Sequence, residues 1–186
     1  MESIPQKYSQ VLMNLTDPCF RQAELLKEGL FSPPPAEFLK VVNPYCERLG
    51  FKALAQHLHI VLGAAIFYQL IFILSPLLCS PFKSYTTLRT RSKINWDIHL
   101  VSMVQSILIC WLAYLALGDP KLKADRVFGY SPFGADVSAL ACGYFVWDTY
   151  VSVRYVRLFG VGFALHGIAS LAVFLFGFVP LLVQRG

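Results

Sequence analysis

Four long apolar stretches, separated by polar and charged segments, are the dominant pattern of this chain. About 18 or more predominantly apolar residues in a row are typical of a helix that crosses a membrane. The pattern therefore predicts an all-α fold, a polytopic transmembrane helical bundle of about four spans. The predicted spans cover about residues 53–79, 97–118, 136–153 and 161–183.

The first 52 residues mix polar and apolar positions and predict an extramembrane, amphipathic segment. Within it, residues 17–30, "DPCFRQAELLKEGL", fit a short helix with Asp17 as N-cap and Pro18 at its first position. The following "SPPPAEF" at 32–38 breaks that helix. We expect this segment to lie on the membrane surface or to pack against the bundle.

Charge and cysteine content add few functional signals. The net charge is +5, but the Lys and Arg residues lie mainly in loops and flanks, where membrane topology explains them better than nucleic-acid binding. The densely basic loop at 80–96 favours a cytosolic position for that loop, although the totals on the two sides nearly balance. Five widely spaced cysteines and no CxxC or Cys/His cluster give no indication of a metal ion or other cofactor.

Ionisable residues near the ends of the predicted spans are the candidate catalytic or binding residues. Asp148 lies about five residues before the end of the third predicted span, and His166 about five residues after the start of the fourth. At about 1.5 Å per residue, both lie roughly 7–8 Å inside the same membrane boundary. His99 enters the second span from that side.

Polar and small residues recur three or four positions apart on these three spans, which places them on common helix faces. They predict a polar cavity open toward the basic loops. Its predicted lining is His99, Ser102, Ser106, Tyr144, Asp148, Ser152, His166 and Ser170.

Two interpretations of Asp148 remain open at this stage. In one, Asp148 orients His166 as a catalytic pair, with His166 acting as general base or binding a lipid headgroup. In the other, Asp148 pairs with Arg154, Tyr144 or His166 only to neutralise itself and hold helices together. His57 and His59, in "QHLHI", are two residues apart and hence on different faces, which favours interfacial residues over ligands.

Several segments together resemble the TLC-domain family, the multi-span domain of ceramide synthases and related membrane proteins. They are "INWDIHLVSMVQSI", "DRVFGYSP", "ALACGYFVWDTYVSV" and "GVGFALHGIASLAVF". The resemblance covers about residues 93–186 and is strongest to fungal and animal TLC-domain-containing proteins of unassigned activity. It implies a helical bundle in the endoplasmic reticulum, a lumenal N-terminus and membrane lipid as partner.

Two departures from the family bear on function. Ceramide synthases carry a His-His pair where this chain has His166 followed by Gly167, so the resemblance supplies only the first histidine. The domain also normally continues through further spans, so the chain resembles a C-terminally truncated TLC domain that would need a protein partner or oligomer to close its cavity.

The combined expectation is a membrane protein that binds or senses lipid and contributes to lipid homeostasis, with enzymatic activity not favoured. The first alternative is a ceramide-synthase-like N-acyltransferase that uses His166 and Asp148. The second is a structural membrane subunit in which the polar residues only hold helices together.

Overall fold

The computed structural model describes residues 29–125 and 129–178, and these residues form helices and no strands. The predicted all-α class is thereby confirmed. The predicted helix at 17–30 lies almost entirely outside the described residues. The described residues form α1 (Ala36–Arg48), α2 (Leu54–Cys79), α3 (Lys83–Thr86), α4 (Thr90–Ala116), α5 (Pro120–Ala124), α6 (Pro132–Arg154), α7 (Val156–Phe159) and α8 (Val161–Phe176).

Four of these helices, α2, α4, α6 and α8, form an antiparallel bundle, and the short helices lie in the connections and at one end. The central helix is α6, which packs against the other three and has a largely buried surface. It begins where Ser131 Oγ accepts a hydrogen bond from the Gly134 N–H at 3.3 Å and Pro132 occupies the first turn. At the other end of α6, Gly160 has a φ of 92°, a left-handed conformation suited to glycine, and starts α8.

Helices α2 and α6 approach each other most closely at Gly143. A Cβ atom at this position would lie 2.5 Å from the Val61 carbonyl oxygen and 2.6 Å from the Ala64 Cβ. Close backbone approach at a small residue is typical of helix packing in membranes. Gly143 therefore sets the distance between α2 and α6.

By length and composition, α2 and α4 are the described helices able to cross a membrane. Only 28% of the apolar window of α2 and 22% of that of α4 is buried inside the molecule. Large apolar side chains such as Ile66, Leu70 and Ile107 are exposed on them. Exposed apolar surface of this extent is typical of contact with a bilayer.

The helix ends differ from the predicted spans where polar residues extend a helix. Helix α4 begins at Thr90, seven residues before the predicted start, because hydropathy detects the apolar part of a helix and not its polar first turns. Pro76 lies inside α2, which continues to Cys79. Helix α1, beginning directly after the Pro33–Pro35 run, was not predicted.

Candidate functional site

The carboxylate of Asp148 lies between α6 and α8 and is buried, with 7% of the residue exposed. Gly167, not His166, faces it: a Cβ atom on Gly167 would lie 3.2 Å from Asp148 Oδ2 and 3.4 Å from Ser152 Oγ. The Ser152 and Thr149 hydroxyls beside it are buried and have no hydrogen-bond partner among the described residues. Asp148, Ser152 and Gly167 thus form a small, tightly packed polar contact.

His166 is exposed on the surface of α8, and Ser170, one turn further along, is half-buried. The His166 imidazole interacts electrostatically with Asp148, but no hydrogen bond or ion pair joins the two within the described part of the chain. The two residues therefore lack, in the described structure, the direct contact that a base and its orienting carboxylate make.

The polar residues predicted on α4 bond mainly to their own helix. Ser106 Oγ donates to the Ser102 carbonyl at 2.8 Å, and His99 Nδ1 donates to the Asn95 carbonyl at 2.8 Å. Ser102 is the member that reaches another helix, because the Tyr144 hydroxyl donates to its Oγ at 2.9 Å. His99 instead lines an apolar cleft of about 470 Å³ on the outer side of α4. The structure thus brings Ser102 and Tyr144 together, and separately Asp148 and Ser152, but does not gather all eight residues around one cavity.

A second buried carboxylate, Asp97, links the helices at the basic-loop end. Its Oδ1 accepts a hydrogen bond from Ser75 Oγ at 2.6 Å, and its Oδ2 accepts one from the Tyr85 hydroxyl at 3.2 Å. Burial, with the nearby Asp97 charge, raises the pKa of Tyr85 to about 12, so its hydroxyl remains a donor at neutral pH. Asp97 therefore fixes the turn between α2 and α4.

A buried contact between a histidine and a carboxylate lies at the opposite end of the bundle, between α2 and α6. His57 Nδ1 and Asp136 Oδ1 are 2.8 Å apart, and 7% and 4% of these residues are exposed. Asp136 Oδ2 also accepts the backbone N–H groups of Leu30 at 2.7 Å and Phe31 at 3.1 Å. His57 was expected to be interfacial and Asp136 was not singled out, so sequence reasoning missed this pair.

A signal for the pair does exist in the chain. His57 lies three residues into α2 and Asp136 four residues into α6, and the two helices start at the same end of the bundle. The two positions therefore have the same depth, roughly 5–6 Å from the helix starts. The sequence lacks the information that α2 and α6 are neighbours.

The His57 side chain lines a cleft of about 370 Å³. Tyr130 stands across it, its hydroxyl 3.5 Å from His57 Nε2. Burial raises the pKa of Tyr130 and the Asp136 charge raises it further, so the phenol stays protonated at neutral pH.

An apolar groove of about 410 Å³ adjoins this cleft. Helices α2, α4 and α6 form its walls, with Gly63, Phe67, Trp111 and Leu140 among the lining residues. Phe31 and His59 line both the groove and the cleft, so the two spaces share a wall. A cleft that carries a histidine near a helix end and lies next to an apolar groove has the two parts of a lipid site, one for a headgroup and one for a chain. Among the described residues, no group of three or more His, Cys, Asp or Glu side chains is placed to hold a metal ion.

Comparison with known proteins places residues 95–185 within a family model described as the TLC domain. An uncharacterized TLC domain-containing protein of Schizosaccharomyces pombe is 42% identical over 160 residues, covering 86% of this chain and 55% of that protein. The topoisomerase I damage affected protein 4 of Saccharomyces cerevisiae is 35% identical over 149 residues, covering 75% of this chain and 53% of that protein.

A TLC domain-containing protein of Dictyostelium discoideum is 27% identical over 90 residues, 48% of this chain and 33% of that protein. No solved structure matches. The chain spans little more than half the length of the two fungal relatives. From its matched domain, its fungal relatives and its apolar helices, this chain belongs to the TLC-domain family of membrane proteins.

Proposed function

We propose that this protein binds a membrane lipid and contributes to lipid homeostasis in the endoplasmic reticulum. The observation that carries the proposal is the apolar groove between α2, α4 and α6. Its volume of about 410 Å³ lies in the range of small-molecule sites, which is roughly 300–1,000 Å³. The groove belongs to the two helices whose outer faces expose Ile66, Leu70 and Ile107, so a lipid chain can enter it from the bilayer.

Filling the groove tests this proposal. Gly63 lines the groove, and a Cβ atom there would meet no other atom within 4 Å. A leucine at this position therefore occupies groove volume without a backbone clash. We expect Gly63→Leu to reduce the lipid recovered with the purified protein several-fold, measured by mass spectrometry of extracted lipid per mole of protein.

Gly162→Leu is the matched control. Gly162 also has open space at its Cβ position but lies on α8, away from the groove. This variant should retain the wild-type lipid content. Equal lipid recovery from Gly63→Leu, Gly162→Leu and wild type, with all three folded, would refute a lipid site in the groove.

An N-acyltransferase activity that uses His166 and Asp148 is the second proposal. It is supported by the electrostatic interaction between these residues and by the buried Ser152 hydroxyl, which has no hydrogen-bond partner among the residues that the structure describes. The exposed position of His166 and the packing of Gly167 against Asp148 favour lipid binding over catalysis.

We therefore expect His166→Ala to leave both thermal stability and lipid content unchanged, because the side chain removed is exposed and makes no hydrogen bond within the described part of the chain. Acyl transfer from an acyl-CoA to a sphingoid base decides between the two proposals. It is measured in membranes that contain wild type, His166→Ala or no added protein. Turnover above the protein-free control that His166→Ala abolishes would establish the enzyme. A large loss of stability in His166→Ala would instead favour a structural subunit.

A further inference from the structure

The buried pair His57–Asp136 is built to present one ring nitrogen to the cleft. Asp136 Oδ2 accepts two backbone N–H groups, and Oδ1 faces His57 Nδ1 at 2.8 Å. Since the carboxylate acts as an acceptor on both sides, the ring proton lies on Nδ1. In the neutral imidazole, Nε2 then carries a lone pair directed away from Asp136.

The atom opposite this lone pair is a poor partner. The Tyr130 hydroxyl stands 3.5 Å from Nε2, at the outer limit of a hydrogen bond and beyond the usual range of about 2.7–3.2 Å for hydrogen bonds that join nitrogen and oxygen. Half of Tyr130 is exposed, so its side chain can turn aside. His57 Nε2 is thus a nearly buried acceptor in a cleft of about 370 Å³, and a ligand group that satisfies it must donate a hydrogen bond.

The groups around the cleft determine which kind of hydrogen-bond donor can bind at His57 Nε2. Phe31 and His59 line both the cleft and the apolar groove, so the two spaces are adjacent, and a ligand that passes these side chains can place a donor at Nε2 and a chain in the groove. The Asp136 carboxylate at the base of the cleft disfavours a second negative charge. A neutral hydroxyl donates a hydrogen bond and adds no negative charge. An ionised carboxylate headgroup has no proton to donate and carries a negative charge.

We propose that His57, oriented by Asp136, binds the hydroxyl group of a neutral lipid whose hydrocarbon chain occupies the groove between α2, α4 and α6. This inference rests on the proposed lipid-binding function and specifies its headgroup site. His57 Nε2 accepts the hydroxyl proton in a hydrogen bond, and the hydroxyl takes the position that Tyr130 leaves open. Asp136 acts as the positioning residue, since it contacts His57 and not the lipid.

The test compares three probes of equal chain length: a long-chain primary alcohol, its methyl ether and the corresponding fatty acid. Binding is measured with the purified full chain in detergent, by competition against a fluorescent alcohol of the same length. We expect the alcohol to bind roughly tenfold tighter than the ether, the value of one hydrogen bond of about 1.4 kcal/mol. We expect the fatty acid to bind more weakly than the alcohol.

His57→Asn removes the ring nitrogen that faces the cleft but keeps an amide donor for Asp136 at the position of Nδ1. This variant should bind alcohol and ether equally, with ether affinity unchanged. Gly162→Ala, on α8 and away from the cleft, serves as the control and should keep the preference for the alcohol.

The outcomes distinguish the hydroxyl site from the proposed lipid-binding function. The comparison of alcohol with ether requires only the wild-type protein. Equal affinity of wild type for alcohol and ether, or tighter binding of the fatty acid, would overturn the hydroxyl site while leaving the groove intact. An alcohol preference that survives in folded His57→Asn would overturn it as well. Failure of all three probes to bind would overturn the proposed lipid-binding function together with this inference.

Discussion

Gly143→Ala is expected to destabilise the bundle severely, although the change adds a single methyl group. The new Cβ would lie 2.5 Å from the Val61 carbonyl oxygen and 2.6 Å from the Ala64 Cβ. Both distances are shorter than non-bonded atoms can approach. The carbonyl is backbone, so relief requires that α2 and α6 move apart. We expect a loss of about 3 kcal/mol in the free energy of unfolding, at the upper end of overpacking costs.

Gly162→Ala provides the matched comparison. Alanine is a better helix former than glycine by up to about 1 kcal/mol, and nothing lies within 4 Å of the new methyl group at position 162. This variant should be as stable as wild type or slightly more so. Unfolding of both variants by SDS in mixed micelles gives the difference directly, and equal stability of Gly143→Ala and Gly162→Ala would show that α2 and α6 do not meet at Gly143.

His57→Leu is expected to have a comparable effect for an electrostatic reason. It removes the partner of a carboxylate that is 4% exposed and leaves Asp136 Oδ1 buried without its hydrogen bond. Breaking a buried pair by removing one partner typically costs about 3–5 kcal/mol. His59→Leu, two residues away, should cost much less, because the half-buried His59 bonds through Nε2 to a backbone carbonyl, that of Ser32 at 3.2 Å, and not to a carboxylate.

A second substitution identifies the buried charge as the cause. Asp136→Asn neutralises the carboxylate and retains an oxygen that can accept the backbone N–H groups of Leu30 and Phe31. The double variant His57→Leu/Asp136→Asn should therefore recover most of the stability that His57→Leu loses. If the double variant were as unstable as the sum of the two single variants, the pair would not be coupled in the way described.

The pattern of apolar residues was sufficient to predict the fold class and the approximate position of the long helices. It could not predict the polar first turns of α4 or the helix after the Pro33–Pro35 run, because neither is apolar. The membership in the TLC-domain family was also predictable, since the motifs around Asp148 and His166 are contiguous in the chain.

The candidate sites were harder to predict, since they depend on helix rotation and helix neighbours. Asp148 and His166 were placed at equal depth, but successive residues of a helix point about 100° apart. A difference of one position therefore turns Gly167, and not His166, toward Asp148. His57 and Asp136 are 79 positions apart in the chain, and only the packing of α2 on α6 makes them partners.

Lipid in the groove is the central claim, and photolabelling tests it most directly. A long-chain alcohol with a diazirine in mid-chain is bound to the full-length chain, irradiated and mapped by mass spectrometry. Labels should concentrate on the groove-lining residues, and Gly63→Leu should remove them. These residues are His59, Ile60, Gly63, Ala64, Phe67 and Tyr68 of α2 and Leu108, Trp111 and Leu112 of α4. Labels spread over outward-facing residues such as Ile168 and Val173, and unchanged in Gly63→Leu, would contradict a lipid-binding groove.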